Sequence, residues 1–177
     1  MEKRIDKMSA AADKMKDAVR KAAAVELTIG SYHVTVKNRL AEGGFGFVDL
    51  VVDINTKAEY VMKRCGVDSP EIFEIVKKEI NILQLFAGPF VVVLLGQEIL
   101  NIHGKRQACL LLENCPGGHL LDRLNSRQGS PLPSAGIYRI FGQLLKALKP
   151  FHEHSPPITH RDLKLENILF GTVNIFL

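Results

Sequence analysis

The stretch PPITHRDLKLENILF, residues 156–170, crowds His160, Arg161, Asp162, Lys164 and Asn167 into the octet HRDLKLEN. Leu163 and Leu165 are interleaved with them, and the apolar run Ile168, Leu169, Phe170 follows. A charged surface turn has no need of alternating polar and leucine positions. The residue types and their spacing are those of a phosphotransfer centre.

Two further groups precede this octet. Gly43, Gly44 and Gly46 lie in AEGGFGFV, residues 41–48. Glycines there let a backbone approach a polyphosphate closely, with N–H groups free to bind its oxygens. Glycine-rich hairpin turns are also common for purely structural reasons, so both readings stand. Lys63 in YVMKR sits between apolar residues on a predicted strand. A lone lysine of this kind reads as a sheet-edge residue with its head in water. Glu79 changes that reading, because it shares a helical stripe with Ile72, Val76 and Leu83. A carboxylate turned toward a sheet needs a cation, and Lys63 is the natural candidate.

These groups must be held by recognisable elements. YHVTVKNRL, FVDLVVDI and AEYVMKRC alternate with period two and read as three antiparallel strands, with Asn55 and Thr56 in the second turn. The glycine turn joins two strands, which excludes the strand-turn-helix setting of a dinucleotide fingerprint. SPEIFEIVKKEINILQLFAGP predicts a helix with Ser69 as N-cap, Pro70 in its first turn and Gly88-Pro89 closing it. Ile72, Val76, Ile80 and Leu83 form its core-facing stripe. FVVVLLGQEIL and RQACLLLEN predict two more strands. After Gly117-Gly118 the chain turns helical, through HLLDRLNS and SAGIYRIFGQLLKALKPFHEH. Ile137, Ile140, Phe141, Leu144, Leu145 and Leu148 are the expected buried face of the second helix, with a kink or an end at Pro150.

The chain has 177 residues, 46% hydrophobic and 24% charged, enough for one ordinary core. Its formal net charge of +4 is spread over interleaved bases and acids, with no basic stripe bearing aromatics, which argues against a nucleic-acid partner. Cys65, Cys109 and Cys115 show no CxxC or metal-ligand spacing, so a reducing compartment is expected and a disulfide framework or zinc site is not. No stretch has the apolar length to span a bilayer and the N-terminus lacks a signal-peptide core. Residues 1–24 are rich in Ala, Lys and Asp. Ile5, Met8, Ala12, Met15, Val19 and Ala22 form a narrow helical stripe there, read as a solvated helix or as a peripheral contact with a membrane or partner.

HRDLKLEN resembles the catalytic loop of eukaryotic protein kinases. AEGGFGFV, YVMKR, the Glu79 helix and LLLENCPGG precede it in that family's order. More narrowly, YHVTVKNRLAEGGFGFV, KKEINILQL and PPITHRDLKLENILF resemble the Numb-associated kinase group, with its adaptor-associated, cyclin-G-associated and fungal actin-regulating kinases. The resemblance implies an α+β protein-kinase-like fold. A five-stranded antiparallel small lobe with one main helix would be followed by the beginning of a helical large lobe. Residues 1–29 would be a helical or flexible extension, 30–116 the small lobe and hinge, and 117–177 the start of the large lobe.

The same resemblance implies ATP and Mg²⁺ as cofactors and residue roles to match. Gly43, Gly44 and Gly46 would cover the phosphates, with Leu40 and Val48 against the adenine. Lys63 would contact the α- and β-phosphates and pair with Glu79. Leu112 would take the gatekeeper position, and the backbones of Glu113 and Cys115 would bind the adenine edge. Asp162 would orient and deprotonate a substrate hydroxyl, Asn167 would hold Mg²⁺, and Lys164 would neutralise the transferred phosphoryl group, as in serine/threonine kinases. Cytoplasmic protein substrates, endocytic or actin-linked, are implied.

Three departures stand out. Ala41 occupies the first glycine position, and Val61 and Met62 replace the more usual alanine and its neighbour before Lys63, with the larger Val61 expected to crowd the adenine pocket. The family continues past Asn167 to Asp-Phe-Gly, whereas this chain reads GTVNIFL. The 177 residues alone are therefore expected to be inactive and to leave apolar helical faces exposed. The alternative is a truncated, non-catalytic kinase-like module that binds nucleotide or protein.

Overall fold

The computed structural model describes residues 26–43, 46–171 and 175–177. The expected N-terminal helix of residues 1–24 and Gly44 lie outside the described residues. The chain runs through strands β1 (Glu26–Ile29), β2 (Tyr32–Gly43), β3 (Gly46–Asp53) and β4 (Glu59–Gly66) into helix α1 (Pro70–Leu85). Strands β5 (Leu94–Ile102) and β6 (Lys105–Glu113) follow, then helices α2 (Leu120–Asn125) and α3 (Ser134–Glu153). A 3-10 turn at Leu165–Asn167 leads to the paired strands β7 (Leu169–Phe170) and β8 (Ile175–Phe176).

The five expected strands are β2 to β6, and β1 adds a sixth in the order β1-β2-β3-β4-β6-β5, with every pair antiparallel. β1 falls within the segment read as an extension. Its four residues bury Leu27 and Ile29 against β2, but four residues are too few to announce a period. β5 begins at Leu94, four residues later than expected, because Phe90 and Val92 bond to Leu177 and Val91 to Gly88, outside the sheet. The sheet curls until β1 meets β5. Gly96 permits this approach, since a Cβ there would sit 3.1 Å from the Ile29 carbonyl oxygen.

The inside of the curl is apolar, built from Leu27, Ile29, Val34, Val51, Met62, Ile102, Cys109 and Leu111. On the outside lies α1. Ser69 caps it, its Oγ accepting from the Ile72 N–H at 3.3 Å, with Pro70 opening the helix. Val76, Ile80 and Leu83 pack on Val67, Ala108 and Leu110 as expected. Phe73, rather than Ile72, completes the stripe. Ile72 remains 40% exposed because the helix touches the sheet along its Phe73 side.

In the helical half, Ile140 and Leu144 of α3 pack with Leu120, Ile168 and Ile175. Ile137, Phe141 and Leu145, expected to be buried, are exposed, since this core covers a single stripe of the helix. α3 also passes through Pro150 to Glu153. Pro150 lies in the last turn, where its missing N–H removes one helical bond near an end that frays in any case.

Candidate functional site

The glycine turn is carried by β2 and β3, whose last pair is Gly43 with Gly46. The two described glycines have different causes. Gly46 has φ +125°, and a Cβ there would lie 1.9 Å from the Arg64 carbonyl oxygen. The sheet itself therefore demands glycine at that position. At Gly43 a Cβ would meet nothing within 4 Å, so this glycine faces open space where a ligand can come close to the backbone. A register shift between Arg39 and Ala41 makes Leu40 a bulge residue, half-exposed beside the turn. Bulges of this kind re-aim a side chain.

Val48 is paired directly with Lys63 in β4, so both project from one face of the sheet. From that face the Lys63 Nζ reaches Glu79 Oε1 of α1 at 2.6 Å, with both side chains about one-third exposed. The pair inferred from the helical stripe is thus formed, and it holds the lysine head at the edge of the cleft. Across the neighbouring strand, Leu112 is paired with Val61 and with Leu94. Glu113 donates its N–H to the Val93 carbonyl at 3.1 Å and accepts the Val93 N–H on Oε1 at 2.8 Å. This clamps β6 to the entry of β5. The Cys115 carbonyl accepts from Gly118 N–H at 3.1 Å, and burial, with Glu113 nearby, pushes its thiol up to about 11.

Beyond this crossing the chain is stitched to β7. Leu120 N–H donates to the Ile168 carbonyl at 2.8 Å, Gly117 N–H to Phe170 at 2.9 Å, and Phe170 N–H to Gly118 at 2.8 Å. A Cβ on Gly117 would lie 2.6 Å from Phe170 Cβ and 2.7 Å from its carbonyl oxygen, so glycine is obligatory there. These bonds position the HRDLKLEN loop. Its start is tied to α3 by the Ile158 N–H on the Phe151 carbonyl, at 2.9 Å.

Within the loop, Asp162, Lys164 and Asn167 converge. Asn167 Nδ2 donates to the Asp162 carbonyl at 2.7 Å and to its Oδ2 at 2.9 Å. Lys164 Nζ lies 3.2 Å from Asp162 Oδ1. The bond from Lys164, followed by that from Asn167, holds the Asp162 carboxyl below the usual carboxylate value. His160 supports the backbone, its Nδ1 facing the Asp162 N–H at 3.4 Å. Arg161 has φ 63°, a left-handed conformation uncommon for a non-glycine residue. The loop therefore presents an ionised carboxylate flanked by an ammonium group and an amide.

Sequence reasoning missed a buried polar cluster beneath the glycine turn. Asp49, 1% exposed, accepts from Arg39 Nε at 3.2 Å and from Arg64 Nε at 2.7 Å, and Arg64 also bonds Gln107 at 3.3 Å. The available signal was parity. Asp49 alternates with Val51 on β3, and Arg64 with Met62 on β4, both on the inward face.

Comparison with known proteins bears directly on this arrangement. The protein kinase domain model matches residues 34–175. The chain is 36% identical over 146 residues to a probable serine/threonine-protein kinase of Dictyostelium discoideum, covering 81% of this chain and 13% of that protein. A second probable serine/threonine-protein kinase of the same organism is 38% identical over 146 residues, covering 80% and 18%. The serine/threonine-protein kinase ppk30 of Schizosaccharomyces pombe is 31% identical over 157 residues, covering 87% and 16%. The chain thus spans less than one-fifth of the length of these relatives. Protein kinases as a family use ATP and Mg²⁺. The matched residues take in the glycine turn, Lys63, Glu79 and the Asp162 loop alike, and on that match this chain belongs to the protein kinase domain family, of which it carries part of one domain.

Proposed function

We propose that the protein containing this chain transfers the γ-phosphoryl group of ATP to serine or threonine hydroxyls of protein substrates. The observation that carries this reading is the convergence of Lys164 and Asn167 on Asp162. An aspartate held ionised is a weak base but a firm acceptor. Phosphoryl transfer through a loose transition state asks mainly for orientation of the hydroxyl and neutralisation of charge. Asp162 orients the hydroxyl and accepts its proton as the hydroxyl oxygen bonds the γ-phosphorus and the bond from that phosphorus to the bridging oxygen breaks, releasing ADP. Lys164 offsets charge on the migrating group, and lysine at this place favours serine/threonine over tyrosine acceptors.

Lys63, fixed by Glu79, meets the α- and β-phosphates, and Gly43, Gly44 and Gly46 cover them. Val48 and Leu40 flank the adenine, with Leu112 as gatekeeper. Because the Glu113 N–H already serves Val93, a purine contact at Glu113 falls to its carbonyl, and Cys115 contributes its N–H. The donors present suit Mg²⁺. Asn167 spends its amide nitrogen on Asp162, which leaves Oδ1, a hard oxygen, for the ion, and Mg²⁺ ordinarily takes few protein ligands beside phosphate oxygens. Bound there, it would neutralise phosphate charge.

The narrower assignment to the Numb-associated group, with endocytic or actin-linked substrates, rests on YHVTVKNRLAEGGFGFV, KKEINILQL and PPITHRDLKLENILF. Three free cysteines suit a cytoplasmic site of action. Among the described residues, no helix is long and apolar enough to cross a membrane. The test is transfer of labelled γ-phosphate from ATP·Mg²⁺ to casein by the full-length protein. Label should appear on serine or threonine and fall by about 10²–10⁴-fold in Asp162→Ala. Label on tyrosine, or transfer indifferent to Asp162, would refute the proposal.

A further inference from the structure

Beneath the glycine turn, on the sheet face opposite Lys63, three strands converge on one carboxylate. Asp49 of β3 is bound on Oδ1 by Arg39 of β2 and on Oδ2 by both Nε and the terminal nitrogen of Arg64 of β4, at 2.7 and 2.5 Å. Both guanidinium groups lie over the Phe47 ring, Arg39 at 3.9 Å and Arg64 at 5.3 Å from its centre. Gln107 of β6 fixes the other end of Arg64. The backbone of that same Arg64 presses against Gly46. The turn therefore rests on Arg64 from both sides, through its carbonyl and through its side chain.

A buried ion pair of this kind is a poor source of stability, since apolar residues of similar size usually do as well or better. Register is where it has leverage. The β2–β3 pairing shifts twice, between Val36 and Asn38 and between Arg39 and Ala41, and Arg39 sits directly opposite Asp49 between the shifts. A one-residue slip would carry Val48 off the Lys63 face and turn the glycines away from it.

We propose that Asp49, clamped by Arg39 and Arg64, is a positioning residue that locks the register of the glycine turn and so sets its height over the nucleotide phosphates. This inference rests on the nucleotide-binding reading given above. Its signature is graded: the phosphates depend on the turn itself, whereas adenosine, although it meets Leu40 and Val48, is also held by Leu112, Glu113 and Cys115, which lie beyond the locked strands.

The experiment compares the affinities of the full-length protein for ATP and for adenosine by calorimetry. The double variant Asp49→Leu/Arg64→Met keeps the volume and removes the buried charges, and its thermal midpoint reports whether it folds. The ratio of ATP to adenosine affinity is expected to fall about tenfold, within the range typical of coupled sites, with adenosine affinity falling by the smaller factor. Arg39→Ala removes only the more exposed arm and should lower the ratio about threefold, as a part-exposed ion pair allows. Lys63→Ala serves as the control for loss of phosphate contact. A folded double variant with the wild-type ratio overturns the inference while leaving nucleotide binding intact. If the double variant does not fold, an unchanged ratio in Arg39→Ala overturns it equally. A wild-type protein that does not prefer ATP to adenosine removes the nucleotide reading, and this inference with it.

Discussion

Alanine at Gly43 and alanine at Gly46 should have opposite consequences, although both glycines belong to one turn. At Gly46 the new Cβ must move from 1.9 Å to at least 3.0 Å from the Arg64 carbonyl oxygen, which parts β3 from β4 where Phe47 pairs with Arg64. Holding an alanine at φ +125° costs about 1–3 kcal/mol. Each ladder hydrogen bond lost adds about 1 kcal/mol. A total near 3 kcal/mol corresponds to a melting temperature lower by about 6–12 °C in a chain of this size. Gly43 has no such obstacle, and relief of glycine's entropy cost in a strand makes alanine neutral or stabilising by about 0.5–1 kcal/mol. The Gly43→Ala methyl instead occupies the open surface facing the cleft, so nucleotide affinity should fall while the melting temperature holds. Thermal unfolding by circular dichroism, paired with calorimetric titration of ATP, separates the two. Equal melting temperatures for the two variants, or a stable Gly46→Ala, would refute the division of roles.

Three further outcomes are expected. Lys63→Ala should weaken ATP binding about tenfold or more while lowering stability by about 1 kcal/mol or less, because its partner Glu79 is one-third exposed and can rehydrate; a melting loss as large as that of Gly46→Ala would contradict this. Asp162 should titrate below 3.8 when followed by carboxyl-carbon NMR. A folded value below the unfolded one means that its contribution to stability is complete above about pH 4 and fades as the pH falls through the folded value, so a titration above 3.8 would show that the Lys164 and Asn167 bonds are not formed. On the open face of α3, Phe141→Glu with Leu145→Lys should reduce self-association in light scattering and shift stability by about 0.5 kcal/mol at most, whereas cooperative unfolding would show that the face is packed.

What was legible in the sequence followed from signals local to a few residues. Ser69-Pro70 announces its helix because cap and first-turn chemistry are fixed by adjacent positions, and the Lys63–Glu79 pair follows from one charge on an apolar stripe. What stayed hidden depends on partners far along the chain. Asp49 shares the inward parity of Val51, but its charge has no visible partner until Arg64 is placed beside it across the sheet. Asp53 likewise shapes the turn credited to Asn55 and Thr56, accepting both their N–H groups at 3.0 and 2.7 Å. The choice of Phe73 over Ile72, and the exposure of Phe141 and Leu145, depend on which neighbours are present to cover each face, and no periodicity contains that information.

Among the described residues, the sheet with its helix α1 is joined to the helical half by the covalent crossing at residues 114–116, the stack of Phe86 on Phe151 at 4.1 Å, and the reciprocal bonds of Leu177 with Phe90 and Val92 at 3.0 and 3.2 Å. A body pinned at one point can turn about three axes, at two points about one, and at three points off a common line about none. Wherever the two halves must part to admit or release a bound molecule, one fastening has to give first. The ring stack and the Leu177 bonds can release and reform, while the peptide crossing cannot, so the surviving pair of fastenings defines the axis of swing. Kinematics at that level turns on which of two small contacts releases first.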